Sequence, residues 1–207
     1  MCLFLAQQLL ELHEKEISHR IGAGWASFMK FKGELCGKQY SQAAKAKLFD
    51  AIVTPTVLYA ASTWSTTADM ERMLRTSRRR MIRLMFGGGR KSTTFDGERT
   101  EESWVDYIKR ATHRAEDIMI KYGSEDWVTL QRRKKWRFAG RVARVSDERW
   151  SRRLLEWRPD FGRGRNQGRP LTRWSDDIKN LAGEGWHDIE PDLWKFAEHA
   201  FVTRCAA

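Results

Sequence analysis

The twenty residues TADMERMLRTSRRRMIRLMF (Thr67–Phe86) decide the fold. At 100° per residue, Met70, Leu74, Ser77, Met81 and Met85 form one stripe, and Arg72, Arg75, Arg79 and Arg83 lie on the opposite side. This is an amphipathic helix, with one face for a core and the other for solvent or a polyanion. The methionines read as core packing ahead of an adaptable docking surface. Gly87, Gly88 and Gly89 end the helix. They come after a helix instead of preceding one, so no helix N-terminus is aimed at an anion there, and the triplet reads as a hinge, not a phosphate cradle.

Working toward the N-terminus, Leu10, Ile17, Ile21, Trp25 and Phe28 recur at helical spacing, and Gly33 and Gly37 punctuate the chain after them. Ser41 is placed to cap a second helix carrying Ala44, Leu48, Ala51, Ile52, Leu58 and Tyr59. Pro55 should kink or divide that helix, because it removes a donor and clashes with the preceding turn. Toward the C-terminus, the polar stretch Arg90 to Thr100 reads as a linker. Beyond it, Trp104, Tyr107, Ile108, Ala111, Ala115, Ile118, Met119 and Tyr122 predict a long helix capped by Ser103 and closed by Gly123.

Asp126 can cap the next helix, whose Trp127, Leu130, Phe138, Val142 and Val145 share a face. If that helix is continuous, Trp136 projects to the other side with Arg132 and Arg133; a break near Gly140 would cancel the argument. Arg149 to Trp157 reads as a short helix and Arg158 to Pro170 as a Pro/Gly/Arg loop. Two short helices come next, near Arg173–Leu181 and Pro191–Arg204, anchored by Trp174, Ile178, Leu181, Trp186, Trp194 and Phe201. No alternating run reaches strand length, so the expected class is all-α: an elongated helical bundle over 9–90, a linker over 91–100, and a smaller helical region over 101–207 with an Arg/Gly-rich loop.

The 207 residues include 38 Lys plus Arg against 27 Asp plus Glu, a formal charge of +11. The excess has an address. Basic and acidic residues number 20 and 16 over 1–131, 15 and 4 over 132–173, and 3 and 7 over 174–207. In the middle segment the arginines alternate with Trp136, Phe138, Trp150, Trp157 and Phe161, a combination suited to phosphate backbones and exposed bases. The candidate nucleic-acid-binding residues are Arg72, Arg75, Arg79 and Arg83 on the first helix, with Arg132, Arg133, Lys134, Lys135, Trp136, Arg141, Arg144, Arg163, Arg165, Arg169 and Arg173 in the middle segment. The partner expected is RNA, DNA or both. Gly168-Arg169-Pro170 shares the core of an AT-hook but lacks a basic residue directly flanking it on both sides.

Composition excludes other classes. A chain that is 41% hydrophobic, with ten Trp and ten Phe, is not a disordered polyelectrolyte. No apolar run has membrane-spanning length, and the opening Met1 to Ala6 does not read as a secretory leader, so an intracellular protein is expected. Cys2, Cys36 and Cys205 lack the paired short spacings of a zinc site, so reduced thiols and no structural metal are expected. The five histidines sit beside no nucleophile, acid/base pair or metal cluster; neither enzyme activity nor a cofactor is expected.

Three ordered motifs carry a family resemblance. Lys45-Ala-Lys-Leu-Phe-Asp-Ala-Ile-Val-Thr-Pro-Thr-Val-Leu-Tyr59, succeeded by Ser62-Thr-Trp64 and the basic helix through Arg83, resembles the region after the catalytic palm of non-LTR (LINE-type) retrotransposon reverse transcriptases. Trp136-Arg-Phe-Ala-Gly-Arg-Val-Ala-Arg144 resembles that group's Trp-x-x-x-Gly-His-x-x-Arg element, with Arg141 in place of the His. Gly168-Arg-Pro-Leu-Thr-Arg-Trp-Ser-Asp-Asp-Ile178 resembles its tail signature. The resemblance implies a thumb over residues 9–90, a helical C-terminal extension after it, and nuclear work for a functional copy. It also implies a chain that starts downstream of the polymerase site, since no Phe- or Tyr-Ala-Asp-Asp motif occurs. Asp176-Asp177 reads as first-turn acids at a helix N-terminus. The competing class is a decayed or domesticated helical module that binds acidic protein partners.

Overall fold

The computed structural model describes residues 2–95, 98–144 and 173–204. Their order is α1 (Cys2–Lys30), α2 (Lys32–Cys36), α3 (Gln42–Val57), α4 (Ala68–Phe86), β1 (Ser92–Phe95), β2 (Glu98–Glu101), α5 (Trp104–Lys121), α6 (Trp127–Ala143), α7 (Asp176–Ala182) and α8 (Pro191–Arg204), with 3-10 turns at Ala61–Thr63 and Trp186–Asp188. The fold is all-α as expected. The exception is an antiparallel hairpin pairing Ser92 with Glu101 and Phe95 with Glu98. Internal contacts divide the chain into two units: Glu16–Tyr59 with Ala68–Val128, and Met1–Lys15 with Ala60–Thr67 and Thr129–Ala207.

In the first of these units α4 buries Met70, Leu74, Met81 and Met85 of the expected stripe, with Ile82 and Phe86 buried beside them and Ser77 half-buried. The caps also agree with the sequence: Ser41 Oγ accepts from Ala44 N at 3.2 Å and Ser103 Oγ from Asp106 N at 3.2 Å. Pro55 does not divide α3, and the helix's expected buried face is corrected. The helix runs unbroken through Pro55, which lies in its last turn. Pro55 and Ala51 are both exposed, so water can serve the carbonyl that the proline leaves without a donor. The buried face of α3 is Ala46, Phe49, Val53 and Val57, whereas Ala44, Ala51 and Tyr59 are exposed. Aromatic packing sets that rotation: Phe49 meets Phe28 edge-on at 6.5 Å and stacks on Trp127 at 5.9 Å.

A buried polar chain ties α3 and α4 to the segment before α6. Arg78, 5% exposed, donates from Nη2 to Ser124 Oγ at 3.2 Å. Ser124 Oγ donates to Asp50 Oδ1 at 2.9 Å, Thr54 Oγ1 donates to the same oxygen at 3.2 Å, and Trp127 Nε1 donates to Thr54 Oγ1 at 3.0 Å. Burial lowers the Arg78 pKa, opposed by the nearby Asp126 and Asp50 carboxylates. Asp50→Ala removes two hydrogen bonds and a counter-charge from this chain. It should therefore cost about 2–3 kcal/mol in urea unfolding, and Asp50→Asn should cost less. A loss under about 0.5 kcal/mol for Asp50→Ala would show that the chain contributes little.

The stretch expected to be a linker over 91–100 carries the hairpin, and α5 packs on α4. Glu102 holds the hairpin's end. Arg110 donates to both carboxylate oxygens at 2.7 Å and Lys91 N donates to Oε2 at 3.1 Å. The Arg110 bonds, then the Lys91 amide, bring the Glu102 pKa down to about 2. With the folded value depressed, this contribution is fully present above the ordinary glutamate range near ~4.3 and is lost as pH falls through about 2. A carboxyl NMR titration should place Glu102 near about 2; a midpoint near 4 would contradict the bidentate pair.

In the other unit, Trp136, Ala139, Ile178, Trp186, Trp194 and Phe201 form one core. Trp136 and Trp194 stack at 4.1 Å and exchange hydrogen bonds: Trp136 Nε1 donates to Trp194 O at 2.9 Å, and Trp194 Nε1 donates to Trp136 O at 3.1 Å. The C-terminal anchors expected from sequence thus meet in one cluster. The short helix expected at Arg149–Trp157 and the loop at Arg158–Pro170 lie outside the described residues.

Candidate nucleic-acid interface

Helix α6 sorts the basic segment into two faces. Inward are Arg132 (5% exposed), Lys135 (1%) and Trp136 (0%). Lys135 Nζ pairs with Asp177 Oδ2 at 2.8 Å and lies 5.4 Å from the Trp174 ring centre. Arg132 Nη1 points to Val202 O at 3.5 Å. The helix is continuous, yet Trp136 is a core residue. The expectation that it projects to the surface is corrected, and its ring is closed to a base. The motif residues Trp136 and Gly140 both meet Trp194: a Cβ on Gly140 would overlap the indole nitrogen and reach Cδ1 at 2.5 Å.

Outward at near-fourfold spacing lie Arg133, Arg137 and Arg141, continued by Arg144 in the turn just after the helix, with Lys134 beside them. Four residues of helix rise about 6 Å, comparable to the step between neighbouring phosphates. Arg137 was not among the sequence candidates; the signal that finds it is its i+4 relation to Arg133 and Arg141. Arg141 and Arg144 are exposed and form no ion pair among the described residues. Arg133 and Arg137 converge on Glu198 of α8. Arg173 is exposed, and its backbone N–H donates to Asp176 Oδ2 at 2.7 Å, so Asp176 acts at the start of α7 as expected for a first-turn acid. Arg163, Arg165 and Arg169 lie outside the described residues.

The α4 arginines are more encumbered. Arg72 pairs with Asp69 at 2.7 Å, Arg75 lies 3.6 Å from Asp126 and 3.8 Å from Glu71, and Arg79 pairs with Glu116 of α5 at 2.7 Å. Arg83 donates to Thr112 Oγ1 at 3.0 Å, and its pKa is lowered by burial and then by Arg80. Arg79 and Arg83 edge an open groove of about 420 Å³ that Lys109 and His113 also line. The stripe read as facing a backbone is therefore partly spent on holding α5.

Fold and charge together define a helical, strongly basic chain whose exposed arginines gather on α6 and along the α4–α5 groove. Its origin is transposon-derived. It is distantly homologous to an uncharacterised transposon-derived protein of Caenorhabditis elegans, 29% identical over 164 residues, which are 79% of this chain and 53% of that protein. The chain thus spans about half the length of that relative. No family model and no solved structure matches it. Among the described residues no helix is long and apolar enough to cross a membrane.

Proposed function

We propose that the chain is a non-catalytic, nucleic-acid-binding part of a non-LTR retrotransposon reverse transcriptase, comprising the thumb and the C-terminal extension. The observation that carries this reading is the division of α6: its tryptophans, Trp127 and Trp136, are used for the core and its outer face is a row of arginines. Transposon ancestry and the three ordered motifs support the assignment to that family. The motifs also acquire physical roles. Trp136 and Gly140 receive Trp194, while in the tail signature Trp174 Nε1 donates to Ser62 O at 2.8 Å and Asp177 pairs with Lys135. Those residues build the platform, and Arg141 and Arg144 stand on it.

Electrophoretic mobility with single-stranded RNA, an RNA·DNA hybrid and duplex DNA tests the proposal. A shift with at least one of them at ~150 mM salt is expected. No shift with any would favour the second reading, a helical module that binds an acidic protein. That reading draws on the apolar outer face of α8, where Phe196 is 86% exposed and Leu193 61%.

A further inference from the structure

Among the described residues, Glu198 is set against the arginine row. It sits one turn beyond Trp194 on α8, which carries its carboxylate to α6. Arg137 Nε lies 3.1 Å from Oε1 and 3.2 Å from Oε2, Arg137 Nη2 lies 3.0 Å from Oε1, and Arg133 Nε lies 3.3 Å from the same oxygen. The Glu198 side chain is 22% exposed, against 63% for Arg137. Two guanidinium groups forked around two oxygens of a single negative charge is the arrangement a phosphodiester's non-bridging oxygens would also satisfy.

We propose that Arg133 and Arg137 form an oxyanion subsite for a backbone phosphate, and that Glu198 occupies this subsite in the free chain and competes with the phosphate for it. The proposal rests on the nucleic-acid reading above. An incoming phosphate must displace the carboxylate and sit beside it, so Glu198 lowers affinity and shortens the run of arginines available along α6. It is a residue that sets affinity without itself touching the ligand. Both charges are partly exposed, so the effect is modest and depends on salt.

Glu198→Gln keeps the shape and removes the charge. It should bind a short duplex DNA or RNA·DNA hybrid about 3- to 10-fold more tightly at ~0.1 M salt, with a salt slope steeper by about 1. Asp192→Asn removes a charge from the same helix at a site paired with Lys195, away from the arginines, and should change binding less than twofold. Arg137→Ala should weaken the Glu198→Gln protein more than it weakens the wild type, since only in the former is Arg137 released. That comparison stays informative even if one substitution alters stability. If wild type binds but Glu198→Gln binds equally or less well, or if Arg137→Ala costs the same in both backgrounds, the competition is overturned and the nucleic-acid reading stands. If neither wild type nor Glu198→Gln binds any probe, both fail together.

Discussion

Gly140→Ala should destabilise the tryptophan cluster by about 3–4 kcal/mol. The added Cβ would overlap Trp194 Nε1 and lie within 2.7 Å of Cε2, and the atoms it meets belong to a rigid indole with no flexible end to swing aside. Trp194 would have to retreat, giving up its 4.1 Å stacking with Trp136 and the reciprocal hydrogen bonds at 2.9 and 3.1 Å. Overpacking costs about 1–3 kcal/mol, the aromatic pair about 0.5–1.5, and each hydrogen bond about 1. These overlap, so the total falls below their sum. The same substitution at Gly22, an exposed α1 position with nothing within 4 Å of the new Cβ, should instead stabilise by about 0.5–1 kcal/mol through helix propensity. Denaturant unfolding monitored by tryptophan fluorescence measures both. A loss below 1 kcal/mol at Gly140 would mean that α6 and α8 do not pack as described.

Removing the outer arginines of α6 should have the larger consequence for binding. Arg137, Arg141 and Arg144 are exposed, and Arg141 and Arg144 have no ion pair among the described residues, so the triple alanine variant should keep its fold. If Arg141 and Arg144 each meet one phosphate, and Arg137 only to the extent that Glu198 yields it, the loss corresponds to about two to three released counterions. At ~0.1 M salt that is on the order of 10²-fold in affinity, nearly equal for all sequences because phosphates carry no sequence information. A loss confined to one base sequence would point to base-edge readout and away from this account.

Helix positions and the tryptophan anchors around α7 and α8 (Trp174, Trp186 and Trp194) were legible in the sequence because they rest on strong local signals: periodic apolar residues, Ser41 and Ser103 at caps, and aromatic residues in otherwise polar stretches. The direction of Trp136 was not. Trp127 stacks on Phe49 and Trp136 on Trp194, and nine residues of helix turn these side chains half a revolution apart. A periodicity argument assumes one buried face, and α6 buries different faces along its length. The rotation of α3 escaped for a related reason, since apolar residues surround most of it and only the contacts of Phe49 choose a face. The hairpin is four residues a side, too short and too polar for an alternation signal, and it is held by the Glu102–Arg110 pair. Within the candidate interface, composition placed the charge on 132–173 but could not say which cations were already engaged: Lys135 by Asp177, Arg79 by Glu116, and Arg133 and Arg137 by Glu198.

The contrast between the two arginine rows supplies the most direct test. Binding of one duplex should be titrated from about 50 to 200 mM salt for wild type, for the Arg137/Arg141/Arg144 triple alanine variant, and for an Arg72/Arg75/Arg79/Arg83 quadruple alanine variant. The α6 variant should flatten the slope of log affinity against log salt by about 2–3, and the α4 variant, whose arginines already face acids or Thr112, should flatten it by less. A slope unchanged by the α6 substitutions would contradict the claim that this helix carries the interface.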